Sequence, residues 1–251
     1  MKQEDPERGI RLLWDAQAEP TRGPKPALSL DRVVAAGIEV ADTEGLGALT
    51  MRRVAEVLGF TTMSLYRYVP GKSELLDLMV DTVIGEAELA EGGWRDGLER
   101  YARGMWAVFR RHPWVSQLTG TRRTPGPRTI ESMEAALAVL ANIGLTAAEM
   151  NAVFLTVGYF VDSVARRLAD RRDAERESGE TEDSWWASRT TVFEHFTPDR
   201  FPMMNHVYLS GGFDKPLDEF EFGLARVLDG IAVFIEAEDR PHIPLANCDT
   251  E

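Results

Sequence analysis

Thr61, Thr62, Met63 and Ser64 stand side by side at the head of a short segment that continues into Tyr66, Arg67, Tyr68 and Lys72. That order suits contact with a nucleic acid. Hydroxyls donate to or accept from base edges, and a thioether or a methyl can touch a thymine methyl. Arg67, Tyr68 and Lys72 then fall where phosphate oxygens would lie. Other chemistries are poorly served. The histidines (His112, His195, His206, His242) show no metal-ligand spacing, and His195 and His206 are too far apart in sequence to be diagnostic. There is no Gly-x-Ser-x-Gly, no phosphate-binding Gly-Lys-Ser/Thr loop and no Gly-x-Gly-x-x-Gly. We expect no metal, no cofactor and no catalytic residue. The single cysteine, Cys248, can form no internal disulfide, and the chain is expected to be cytoplasmic.

Charge sharpens the first reading. The 251 residues carry a formal charge of −13, which by itself speaks against nucleic acid. Residues 1–28 and 29–72 are each neutral, so the whole excess of acid falls in 73–251. Between Thr50 and Lys72, Arg52, Arg53, Arg67 and Lys72 face a single acid, Glu56. A small basic island on an acidic body implies one anion-binding face. The longest apolar stretch without a charge, Met150 to Val161, is well short of the roughly 20 residues needed to span a bilayer. No secretory leader is expected.

The elements that must carry these residues read as helices, which gives an all-α fold with no strand required. Residues 1–28 read as a flexible arm, with a short turn at most over Ile10 to Trp14, because Pro20, Pro24, Pro26 and Gly23 interrupt any long helix. Ser29 caps a helix to about Thr43, and Thr50 caps another that Gly59 closes. Thr61 caps a short helix through Tyr68. Pro70-Gly71 turns the chain into a further helix from Lys72 to about Leu89. Two short helices joined by Gly59-Phe60, the second flanked by basic residues, form the helix-turn-helix pattern. After Gly92-Gly93 come helices over Trp94–Arg111, Arg128–Ile143, Thr146 to about Ala174, Ser184–Phe196 and Pro216–Glu236. Arg171 to Asp183 reads as a solvated loop or frayed end, Pro198 to Phe213 as irregular. The expected division is therefore an arm (1–28), a helix-turn-helix domain (29–75), a ligand-binding and dimerisation domain (76–240) and a tail (241–251).

The run LTMRRVAEVLGFTTMSLYRYVPGKSELLDLMVD, Leu49 to Asp81, resembles the DNA-binding module of the tetracycline-repressor (TetR) family. The features are Leu-Thr ahead of the helix, Arg-x-Val-Ala, Leu-Gly before the turn, Leu-Tyr-x-Tyr in the recognition helix and Lys-x-x-Leu-Leu beyond it. AAGIEVADTEGLGALT, Ala35 to Thr50, also fits, and FRRHPWVSQL, Phe109 to Leu118, resembles the all-helical C-terminal domain of the same branch. The resemblance implies a homodimer that holds a palindromic operator and releases it when a small molecule enters the second domain. Carried over by position, Thr50 and Arg52 match phosphate and base contacts. Thr62, Met63 and Ser64 match the base-reading turn, Tyr66 and Tyr68 phosphate or methyl contacts, and Lys72 a backbone contact. Met63 replaces the proline of the type member, so that member's operator cannot be borrowed.

Three further expectations attach to the rest of the chain. Arg22-Gly23-Pro24-Lys25-Pro26 resembles a basic arm for the minor groove, with Arg22 and Lys25 as its charges. Among the aromatics, Trp106, Phe109, Phe154, Trp185, Trp186 and Phe193 are candidates for a pocket wall. Trp185-Trp186 beside Glu182-Asp183 would suit a cationic ligand. The apolar stripes of Thr146 to Ala169 and Pro216 to Glu236 suit a four-helix bundle between two copies. A ligand-independent DNA-binding or interaction protein would lack a cavity in the second domain. An all-helical enzyme would need convergent titratable groups there.

Overall fold

The structure is a computed structural model that describes residues 6–15, 27–118, 120–121, 123–214 and 217–237. Every regular element among them is helical. In chain order these are α1 (Pro6–Asp15), α2 (Leu30–Glu44), α3 (Met51–Leu58), α4 (Thr62–Leu65), α5 (Lys72–Ile84), α6 (Trp94–Arg111), α7 (Pro127–Ala138), α8 (Ala147–Ser178), α9 (Glu182–Ala187), α10 (Pro202–Leu209) and α11 (Glu219–Glu236). Short 3₁₀ turns cover Leu46–Ala48, Pro113–Gln117 and Thr190–His195.

The expected caps set the starts of the helices. Ser29 Oγ accepts from Arg32 N at 3.3 Å, and Thr50 Oγ1 accepts from Arg53 N at 3.1 Å. Thr146 and Glu149 close a reciprocal capping box: Thr146 N donates to Glu149 Oε2 at 2.7 Å and Glu149 N to Thr146 Oγ1 at 3.3 Å. Gly59, at φ 72°, ends α3 in the left-handed conformation that makes the tight turn into α4.

One core runs through both halves. Val33, Val40, Leu49, Val54, Leu65, Val69, Leu75 and Met79 fill the N-terminal part, and Leu98, Phe109, Trp114, Leu140, Val157, Leu224 and Leu228 continue it. α5 belongs to both, packing on α2 on one side and on α6 and α7 on the other. The expected boundary at 75/76 therefore cuts inside a single helix.

Several boundaries differ from the sequence reading. Part of the presumed arm is ordered: α1 packs on α5, and its Leu13 is buried in the core. The prolines that argued against a helix all follow Asp15, so they limit its length and not its existence. α8 continues through the charged stretch to Ser178, because Asp173 accepts from Gln117 at 2.9 Å and Arg172 donates to the Arg110 carbonyl at 3.2 Å. Polar contacts hold what apolar burial could not. A helix, α10, occupies part of the stretch read as irregular, with Pro202 in its first turn, where a missing N–H costs nothing. The recognition helix, α7 and α5 each end earlier than expected, at Leu65, Ala138 and Ile84. α11 starts at Glu219, where Asp218 Oδ1 accepts from Glu221 N at 3.0 Å.

Candidate DNA interface and ligand chamber

α3 and α4 pack together, and the buried side chains fix which way the rest point. Leu65 and Val69 are fully buried, each worth roughly 1.5–3 kcal/mol on transfer from water. They lock α4 so that Thr61, Met63, Tyr66 and Arg67 are exposed, Met63 at 75%. Thr61 caps α4, and its Oγ1 lies 2.9 Å from Ser64 Oγ, so the two hydroxyls orient each other; Thr62 is half-buried. Thr50 is exposed at the cap of α3, and Lys72 is exposed at the first position of α5. Arg52 is 84% exposed, with Glu56 3.3 Å away.

Two residues of the basic island have inward tasks. Arg53 is held by Glu44, whose carboxylate accepts from both Nε (2.9 Å) and Nη2 (2.7 Å). The guanidinium in turn draws the Glu44 carboxyl below the usual carboxylate range. Tyr68 is half-buried and donates its hydroxyl proton to the Leu28 carbonyl at 3.0 Å, pinning the segment before α2 to the end of the recognition turn. Arg22 and Lys25 lie outside the described residues.

A cavity of about 280 Å³ opens in the second half. Its apolar wall is Val80 and Ile84 of α5, Met105 and Phe109 of α6, and Val115 and Leu118. Its polar groups are Asp77 of α5, Arg123, Thr121 and Thr124 of the following loop, Thr129 of α7 and Asp162 of α8. Arg123 Nη2 stands 2.5 Å from Asp77 Oδ1 and donates to the Ser73 carbonyl at 3.0 Å. Arg123 Nε is buried without a hydrogen-bond partner among the described residues. Burial pushes the Asp77 carboxyl up, against the pull of Arg123. A wider groove of about 590 Å³ follows α6, but its arginines are already engaged: Arg100 with Glu88 and Glu91, Arg103 with Glu99 and Glu221, and Arg111 with Glu86.

Of the aromatic candidates, Phe109 lines the cavity. Trp106 stacks on Phe220 at 4.8 Å, joining α6 to α11, and Phe154 packs on Tyr101 at 5.5 Å. Trp185, Trp186 and Phe193 form a separate surface cluster with Phe196 and Tyr208. The Trp185 ring already carries a cation, the Arg189 guanidinium, 4.0 Å above its centroid. Sequence reasoning missed Asp77, Arg123 and Asp162. Each looks like an ordinary surface charge until the fold turns it inward. Among the described residues no group of three or more His, Cys, Asp or Glu could hold a metal ion, and no helix is long and apolar enough to cross a membrane.

Residues 33–79 match the family of tetR-type bacterial regulatory proteins, and residues 86–235 match the tetracyclin repressor-like C-terminal domain. The chain belongs to the TetR family of helix-turn-helix transcriptional regulators. It is 43% identical to the HTH-type transcriptional repressor DrrR1 of Streptomyces coeruleorubidus over 233 residues, covering 91% of this chain and 86% of that one. It is 27% identical to the class C tetracycline repressor protein of Escherichia coli, covering 81% of this chain and 90% of the repressor. The crystal structure of the Streptomyces coelicolor TetR family protein ActR in complex with actinorhodin superimposes with a TM-score of 0.70 at 27% identity, covering 84% and 97% of the two chains.

Proposed function

We propose that this TetR-family regulator is a ligand-released repressor that acts as a homodimer on a palindromic operator in the cytoplasm. Residues 29–75 read DNA and residues 76–240 sense the effector and dimerise. Thr62, Met63 and Ser64 read base edges, with Thr61 setting their orientation. Thr50, Arg52, Tyr66, Arg67 and Lys72 take phosphates. Tyr68 positions the recognition turn from behind, and Arg22 and Lys25 reach the minor groove. Phe109 belongs to the effector site. Trp106 and Phe154 hold its frame, while Trp185, Trp186 and Phe193 serve the contact between subunits.

The observation that carries this reading is that the chamber and the DNA-binding domain share α5. Arg123 grips α5 through Asp77 and through the carbonyl of Ser73, the residue after Lys72. A molecule that enters the chamber must meet Arg123 and the α5 wall together. If it favours a displaced α5, it changes the spacing of the two recognition helices, which must reach half-sites on the order of 34–36 Å apart. Only an effector with higher affinity for that displaced state can drive release.

Selection of genomic fragments on the purified chain, repeated across salt concentrations, tests the first step. A palindromic motif with an affinity that falls steeply with salt is expected. Absence of enrichment at every salt, also after unfolding and refolding to strip any bound molecule, would refute it.

A further inference from the structure

The effector reading leaves the chemistry of the effector open, and one side chain narrows it. A second hollow, of about 500 Å³, lies outside the chamber on α8, next to Tyr159. Gly120 and Asp162 belong to the walls of both. Asp162 thus stands at the junction of an inner apolar chamber and an outer, open mouth.

The charges that line the inner chamber do not balance: among the described residues, Asp77 and Asp162 stand against Arg123 alone. From α5 and the loop, Asp77 and Arg123 face the chamber and offset each other's charge, while Arg123 Nε lacks a hydrogen-bond partner among the described residues. From α6, the Tyr101 phenol is pushed up by burial and by the charge of Asp162, so it stays neutral. On α8 itself, Arg166, Arg167 and Asp170 line only the outer hollow and are exposed to solvent. Asp162 is half-buried and makes no hydrogen bond or ion pair to another described residue. Its carboxyl is pushed up to about 6, because desolvation outweighs the attraction of Arg166. At neutral pH the chamber therefore holds one ionised carboxylate whose lost hydration Arg166 only partly offsets. A neutral donor would give it a hydrogen bond and leave the charge; a cation would answer both.

We propose that the chamber takes a molecule with an apolar body and a protonated amine, and that Asp162 receives the amine. The body lies on Val80, Ile84, Met105 and Phe109. The amine sits at the neck between the two hollows. This rests on the reading of the chamber as the effector site. The sign of the pH dependence follows: protonation of Asp162 below about 6 removes the charge and with it the preference for a cation.

Calorimetric titration of the full chain with three isosteric probes tests this: naphthylmethylamine, neutral naphthylmethanol and anionic naphthoate. At about pH 7.5 the amine should bind about tenfold more tightly than the alcohol, with naphthoate weakest. The amine-to-alcohol ratio should shrink as pH falls through about 6. In Asp162→Asn the ratio should be close to one, with a melting curve showing the fold intact. Equal affinities for amine and alcohol, a preference for naphthoate, or a preference that survives in Asp162→Asn would overturn the proposal. If that variant does not fold, a flat ratio across the pH series of the unaltered chain overturns it equally. Binding of none of the three overturns both the proposal and the chamber as effector site. An amine preference without weakened operator binding leaves the proposal standing and sinks ligand release.

Discussion

Met63 and Arg67 show how the interface divides its work between reading and holding. Met63 is 75% exposed in the recognition turn, where its thioether can read a base through contact with a thymine methyl. Arg67 is exposed and makes no ion pair with another described residue, so its charge is available to a phosphate. Arg53 on α3 is not, because Glu44 holds it. Arg67→Ala should therefore weaken operator and non-operator DNA alike and lower the slope of log K against log salt by about one. Arg53→Ala should leave that slope unchanged. Binding isotherms at four salt concentrations separate the two.

At the scale of elements, Asp81 joins the helix that carries the DNA-binding domain to the helix that walls the chamber. It is buried on α5 and caps α7: Oδ1 accepts from Thr129 N and Thr129 Oγ1, each at 2.9 Å, and Oδ2 from Arg128 N at 3.4 Å. Gly126 is required beside it, since a Cβ there would meet Asp81 Cγ at 2.3 Å. Asp81→Ala leaves the first N–H groups of α7 without an acceptor in a dry place, at a cost of about 1–3 kcal/mol. For a chain of this size that lowers Tm by roughly 2–4 °C per kcal/mol. Asp81→Asn, which keeps one acceptor oxygen, should lose less. Thermal melts of the three proteins check the order. A second bridge, Asp42 on α2 with His112 Nδ1 (2.8 Å) and Trp114 Nε1 (2.7 Å), ties the other side of the DNA-binding domain to the same region.

For the whole molecule, the proposed homodimer needs an apolar contact surface. α8 and α11 pack on each other, yet Tyr159, Phe222 and Val233 on their outer sides are 65%, 52% and 71% exposed. The excursion through α9 and α10 exposes Trp186, Met203, Leu209 and Phe213 as well. Exposed apolar side chains of this kind are where a contact between copies is expected. Val233→Glu places a charge in the middle of the bundle expected between two copies. It should shift the chain toward monomer in sedimentation and weaken operator binding by tenfold or more, while the melting of the isolated subunit changes little. Dimers of unaltered strength would remove α11 from the interface.

The helix-turn-helix was legible in the sequence because its signals are local. Thr50, Gly59 and Thr61 set cap and turn geometry within a few residues of themselves, and alternation of apolar and polar positions over Val54, Leu58, Leu65 and Val69 tells which side is inward. The all-helical class and the stripe of α11 followed from the same periodicity. What lay beyond the sequence depends on distant partners. Nothing near Arg53 announces Glu44, nine positions earlier, and nothing near Tyr68 announces the Leu28 carbonyl. The charged end of α8 is helical because Gln117 and Arg110 meet it from elsewhere in the chain. The chamber is the plainest case: Asp77, Arg123 and Asp162 are scattered over 86 positions and share no motif. Local steric preference and hydrophobic spacing belong to the sequence by itself. Which charges lose their water, and which keep a partner when they do, was decided only by the tertiary structure, because desolvation is a property of the whole surrounding volume.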